Sequence, residues 1–169
     1  MVVRVTKDPD GTASLSYRRP DGSGHQVPIG PAHGYGPIQD LAHIIVERRL
    51  GLGSGFLAGV ARGDISDFGA ETASRLGGDA VLTRSIAGLL SFEAVTGHRL
   101  TVGDFNDAVA ERSSRLRPGY RALELKPSML YELRNDLVAL WRQWTVLPGG
   151  SWIELDQGTG GQGSGVGGP

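Results

Sequence analysis

Alternating apolar and polar residues at both ends of the chain, with helical spacing between them, constrain the fold more than any other sequence feature. Residues 2–7 and 12–18 both alternate in this way, and a Pro-Asp-Gly sequence follows each of them. A third short run, 25–29, has the same two-residue period. A period of two is that of a strand with one buried face, and Pro-Asp-Gly is typical of tight turns. These runs therefore predict a three-stranded antiparallel meander at the N-terminus.

A fourth strand is predicted near the other end of the domain. Residues 152–156 follow Pro148-Gly149-Gly150, and Ile153 and Leu155 alternate with Glu154. A sheet of this size is marginal unless its apolar face is covered. The middle of the chain carries apolar residues at helical spacing, which supplies that cover. We expect an α+β fold with a small, mainly antiparallel sheet, made of the N-terminal β-meander and the C-terminal strand and covered on one face by four or five helices.

Capping residues and glycines mark the ends of the predicted helices. Ser54 is expected to cap the second helix and Asp79 the third, and the apolar stripes of the later helices place Leu89 and Leu137 in the core. Residues 64–76 fit either a short helix or a loop. The predicted helices cover about residues 37–50, 54–62, 80–96, 101–116 and 127–144.

Length and composition indicate one domain. The chain has 169 residues, of which 39% are hydrophobic and 21% charged, enough for one core. We assign residues 1–156 to a single α+β domain. The last thirteen residues, 157–169, contain seven glycines and no periodic pattern, so burial cannot offset the entropy of ordering them. This segment is predicted to be a disordered Gly-rich tail or a linker.

Charge and cysteine content exclude several classes of function. The net charge is −1, so there is no specific signal for nucleic-acid binding. The chain has no cysteine, which excludes disulfides and thiolate metal sites. No apolar run approaches the roughly 18 residues of a membrane span, and the N-terminus lacks an apolar signal core. We expect a cytoplasmic protein without a membrane anchor, and a protein partner or a homo-oligomer remains open.

The predicted helix 37–50 concentrates side chains that can transfer protons or bind metals. At about 100° per residue, Asp40, His43 and Glu47 fall within about 60° of one another, and Gln39 lies beside them. Leu41 and its apolar neighbours occupy the opposite side. The candidate catalytic residues are therefore His43, Glu47 and Asp40.

The same helix carries a resemblance to a group of uncharacterised bacterial proteins. In that group the helix tends to read His-Asp-Leu-x-His-x-x-Val-Glu, and Gln39 stands here where the group has its first His. The resemblance implies a shared fold over residues 1–156 and implies no known activity. The matching motifs are Asp40-Leu41-x-His43-x-x-Val46-Glu47, the Pro-Asp-Gly turn, Gly-Leu-x-x-Gly-Phe at 51–56 and Trp-x-x-Leu-Pro-Gly-Gly at 144–150.

A His pair four residues apart on one helix face, with a Glu four residues further on, is a plausible chelate for a divalent transition metal. Here His43 and Glu47 would be two ligands. Gln39 could supply only a weak carbonyl donor, so His33 in the preceding Gly-rich loop would have to add another. The metal-ligand candidates are therefore His43, Glu47, His33 and Gln39.

Other interpretations of this helix face remain open. The face could be solvated surface with His43 bonded to a neighbouring carboxylate, or it could line a metal-free polar pocket. The best functional hypothesis is a small metal- or ligand-binding protein with its site on the polar face of helix 37–50. Such a protein could be an enzyme. The alternative is a non-catalytic interaction or accessory module. A basic run that begins at Arg112 is interpreted as solvated surface, because acidic residues flank it.

Overall fold

Strands and helices follow one another in the predicted order. The computed structural model describes residues 1–62, 77–156 and 164–168, so the question of helix or loop over 64–76 lies outside the described residues. Described elements are β1 (Val2–Lys7), β2 (Thr12–Arg18), β3 (Gly24–Pro31), α1 (Tyr35–Leu50), α2 (Phe56–Arg62), α3 (Gly78–Thr96), α4 (Val102–Leu116), α5 (Pro127–Val146), β4 (Ser151–Asp156) and β5 (Ser164–Gly167).

One antiparallel sheet holds the described strands in the order β3-β2-β1-β4-β5. The central strand β1 pairs with β2 and β4, and Val5 lies opposite Leu15 on one side and Ile153 on the other. These three side chains are buried, whereas Arg4 points to the other face and bonds Glu154 at 2.6 Å. The α+β prediction is thus confirmed, including the meander, the returning strand and the helices.

The fifth strand differs from the four-stranded sheet that the sequence predicts. The sequence indicates no structure in the tail 157–169, yet Ser164–Gly167 pairs antiparallel with β4. Gly167 lies opposite Trp152, and a side chain at position 167 would collide with the indole ring. Backbone pairing along a glycine-rich segment requires no apolar alternation, which is why the pattern of side chains does not reveal this strand.

Helix α1 lies in the interior and packs against α3, α5 and the sheet strand β3. Its apolar residues join a single core that includes Leu89 and Leu137, both buried as predicted. At the edge of this core the indole N–H of Trp144 donates to the carbonyl of Ala32 at 2.9 Å, and so links α5 to the segment before α1. Within the described ranges, no helix combines the length and the apolar character that crossing a membrane requires.

Candidate functional site

The polar face of α1 is covered by neighbouring elements. Glu47 is only 4% exposed, Asp40 and His43 are half-buried, and the Nε2 atom of His43 is completely buried. The interpretation of this face as solvated surface is therefore wrong for His43 and Glu47. The helical wheel correctly placed the three residues on one side but could not show that other helices cover that side.

Glu47 caps helix α2. Its two carboxylate oxygens accept the backbone N–H groups of Phe56 and Leu57, each at 2.7 Å. A side chain at Gly55 would come within 2.8 Å of the same carboxylate, so the absence of a side chain there leaves room for the cap. Burial raises the pKa of Glu47 to about 7, although the hydrogen bonds from the backbone N–H groups lower it. Both oxygens are therefore engaged in holding α2 in place.

The capping roles predicted for Ser54 and Asp79 are wrong. Helix α2 begins at Phe56, and Glu47 accepts its first backbone N–H groups. Helix α3 begins at Gly78, so Asp79 lies inside its first turn. Asp79 instead accepts the backbone N–H of Ser54 at 2.9 Å and its hydroxyl at 2.7 Å. Two residues that each resemble a cap in sequence thus bind one another and tie the start of α3 to the loop before α2.

His43 has a buried ring nitrogen and a displaced pKa. Its Nε2 atom has no hydrogen-bond partner within the described residues. Burial, and secondarily the positive charge of Arg84, lower the pKa of His43 to about 4. The imidazole is therefore neutral at pH 7, and it retains an unused ring nitrogen that a ligand could occupy.

Asp40 lies one helical turn before His43, and its pKa is displaced in the opposite direction. Burial raises the pKa of Asp40 to about 7. The described part of the chain supplies no hydrogen bond to its carboxyl group. Asp40 can therefore take up or release a proton near neutral pH, next to an imidazole that stays neutral.

The structure does not assemble the metal ligands proposed from the sequence. Across residues 1–62, 77–156 and 164–168, no group of three or more His, Cys, Asp or Glu side chains is arranged to hold a metal ion. His33 is exposed in its loop, and Gln39 is half-buried on the same helix as His43. Glu47 uses both oxygens on the backbone of α2. Asp40 and His43 remain as neighbours one helical turn apart on α1, with no hydrogen bond between them in the described part of the chain.

Sequence reasoning missed the side chains around Gly88 of α3 and missed Arg84, whose positive charge acts on His43. The Tyr35 hydroxyl donates to the carbonyl of Gly88 at 3.3 Å. The Arg112 guanidinium lies against Gly88, where a Cβ would come within 2.8 Å of its Nη2 atom. Arg84 comes from the preceding turn of α3. A four-residue spacing puts Tyr35, Gln39 and His43 on one side of α1, and Arg84, Gly88 and Phe92 on one side of α3, but it does not indicate that the two sides meet.

Comparison with known proteins assigns no family to this chain. No family model, curated protein or solved structure matches it. Function is therefore inferred from the geometry around α1.

Proposed function

We propose that this protein binds a small molecule beside Asp40 and His43 and transfers a proton to or from it, as a small enzyme. The observation that carries this proposal is the buried Nε2 atom of His43, which has no partner within the described residues. Leaving a buried polar group without a hydrogen bond costs about 1–3 kcal/mol. A ligand that completes the hydrogen bonding would offset this cost, and perturbed titratable groups cluster at functional sites.

The two side chains suit different roles in proton transfer. A general acid or base works best when its pKa is close to the working pH, and the pKa of Asp40, raised by burial to about 7, meets that condition. The neutral imidazole of His43 can donate one hydrogen bond and accept another, so it can orient the ligand. Neighbouring groups whose pKa values are displaced in opposite directions are typical of acid and base pairs in enzymes.

Histidine-selective NMR on the full chain tests this proposal. The His43 ring is expected to stay neutral as the pH falls to about 5, because burial lowers its pKa to about 4. A library of neutral, acidic and basic fragments is then screened for compounds that shift the His43 signals. Fragments that do so should bind at least about tenfold more weakly to His43→Gln, a loss of about 1.4 kcal/mol.

His98→Gln is the matched control, because it removes an exposed imidazole on another part of the surface. Fragments should bind this variant as they bind the parent. If no fragment shifts the His43 signals, or if every hit binds His43→Gln as tightly as the parent, the proposal is wrong. The alternative, a non-catalytic interaction module, would then be the better description.

A further inference from the structure

A row of residues on α3 runs alongside His43 and faces outward between α1 and α4. Arg84, Gly88 and Phe92 are four residues apart, so they fall within about 80° of one another on the helix. Ser85, on the α4 side of the row, bonds Ser113 of α4 at 2.9 Å. Ser91, on the other side, reaches the Ile38 carbonyl of α1 at 3.5 Å. The row therefore lies at the surface above the junction of three helices.

Gly88 forms the floor of this surface. It is buried because Arg112 of α4 lies across it and Tyr35 of α1 bonds its carbonyl at 3.3 Å. Any side chain at position 88 would displace the Arg112 guanidinium, since a Cβ there would be 2.8 Å from Nη2. The glycine is thus the feature that lets a charged group from α4 approach the backbone of α3.

Two guanidinium groups meet this surface without a counterion. Within the described residues neither Arg84 nor Arg112 has a hydrogen bond or an ion pair, whereas Arg49 pairs with Asp136. Arg84 is exposed, and its charge acts on His43 across the junction of α1 and α3. Of the two, Arg84 acts on the imidazole and Arg112 lies over Gly88. Positive charge without a counterion favours an anion, and the planar guanidinium matches carboxylate and phosphate oxygens in pairs.

Aromatic rings border the same surface. Tyr35 is 46% exposed and Phe92 is 47% exposed, although both are large apolar side chains. We infer that the ligand of the Asp40–His43 site is a small organic anion, with its carboxylate or phosphate held by Arg84 and Arg112 above Gly88 and its ring against Tyr35 or Phe92. This inference rests on the proposed function and adds the class of ligand to it.

Titration of the full chain with benzoate, phenyl phosphate and inorganic phosphate, followed by NMR, tests the inference, with benzamide as the neutral counterpart of benzoate. Benzoate or phenyl phosphate should bind and shift the His43 signals, and benzamide should bind at least about tenfold more weakly. Comparison of benzoate with phenyl phosphate distinguishes a carboxylate from a phosphate ligand. Weaker binding of inorganic phosphate than of phenyl phosphate would support the role of the aromatic rings.

Arg84→Gln and Arg112→Gln should each weaken the tighter anion by about tenfold or more. Gly88→Ala keeps every charge but displaces the end of the Arg112 side chain, so it should weaken binding, by less than Arg112→Gln does. Arg115→Gln is the control, because Arg115 lies on the same helix as Arg112 and already pairs with Glu111 at an exposed position. Equal anion binding by these four variants, or equal affinity for benzamide and benzoate, would overturn the inference.

The two hypotheses can fail separately. If neutral fragments shift the His43 signals while none of the anions binds, the proposed function stands and the anionic ligand is rejected. If benzoate binds through Arg84 and Arg112 but leaves the His43 signals unchanged, the anion does not reach the Asp40–His43 pair. That result would reject both the assignment of the anion to this site and the role of His43 in binding it.

Discussion

The side chains of two polar regions in the described part of the protein are bonded very differently. In the first, Arg134 of α5 donates to both carboxylate oxygens of Glu93 on α3, at 2.7 and 2.6 Å. Glu93 also accepts the Leu100 N–H at 2.8 Å, and Arg134 donates to the Leu100 carbonyl at the same distance. In the second region, the described residues supply no hydrogen bond to Asp40 or to Nε2 of His43.

The difference separates architecture from function. A buried ion pair whose hydrogen bonds are all made fixes the elements that carry it, here α3, α5 and the segment before α4. Buried groups with unused hydrogen-bonding capacity do not fix neighbouring elements in this way, and they lower the free energy of unfolding. We therefore expect substitutions in the first region to reduce stability, and substitutions in the second to change ligand binding more than stability.

The largest effect is expected for Arg134→Ala. Removal of this guanidinium leaves the Glu93 carboxylate, which is 5% exposed, buried without its cation. Breaking a buried pair from one side costs about 3–5 kcal/mol. Urea unfolding monitored by circular dichroism measures the loss. Arg115→Ala, which breaks an exposed pair with Glu111, should change stability by no more than about 0.5 kcal/mol. Equal effects of the two substitutions would contradict the contrast between the regions.

A smaller loss is expected for Glu47→Ala. The backbone N–H groups of Phe56 and Leu57 would lose their acceptor, at a cost of about 1–3 kcal/mol. Amide hydrogen exchange should become faster throughout α2. Ser54→Ala serves as the comparison, because the sequence predicts a cap at Ser54 and the structure shows one at Glu47. Faster exchange in α2 for Ser54→Ala, with no change for Glu47→Ala, would show that the structural assignment of the cap is wrong.

The third effect is a gain of stability by Asp40→Asn that is comparable to the Glu47→Ala loss at high pH and disappears at low pH. Burial raises the pKa of Asp40 from 3.8 to about 7, so the folded state binds the proton more tightly than the unfolded state. The parent therefore loses stability as the pH rises from about 4 to about 7. At pH 8 we expect Asp40→Asn to be more stable than the parent by on the order of 2 kcal/mol, allowing for partial exposure. At pH 3.5 the difference should vanish.

Urea unfolding of parent and variant across this pH range gives the difference directly. His43 acts in the opposite direction, because burial lowers its pKa to about 4 and stability is lost as the pH falls below 6.5. Glu47 shares the direction of Asp40, but both proteins contain Glu47 and His43, so their contributions largely cancel in the comparison. A stability difference that is constant with pH would show that Asp40 is not the group that titrates.

Much of the fold could be predicted from the sequence because its signals are local. Strands with one buried face alternate every two residues, as at Val3 and Val5, and both are fully buried in the structure. Helical stripes placed Leu89 and Leu137 in the core for the same reason. The strand β5 gave no such signal, since Gly165 and Gly167 pair through their backbones and have no side chains to alternate.

The candidate site could be predicted only in part. A helical wheel brings Asp40, His43 and Glu47 to one side of α1, because that depends on 3.6 residues per turn alone. It cannot show that Glu47 reaches the N-terminus of another helix. Nor can it show that the charge of Arg84 acts on His43 or that Arg112 lies against Gly88. Those are contacts between residues distant in the chain.

The sequence by itself determined the order of the elements, the antiparallel meander with its returning strand, and the face of α1 that carries the polar side chains. The tertiary structure alone decided which of those side chains have partners. The pKa of a carboxylate or an imidazole depends on its burial and on the groups around it. Local spacing in the sequence does not specify those surroundings. The contact of Glu47 with the start of α2 therefore distinguishes this structural cap from the Asp40–His43 pair that we propose as the functional site.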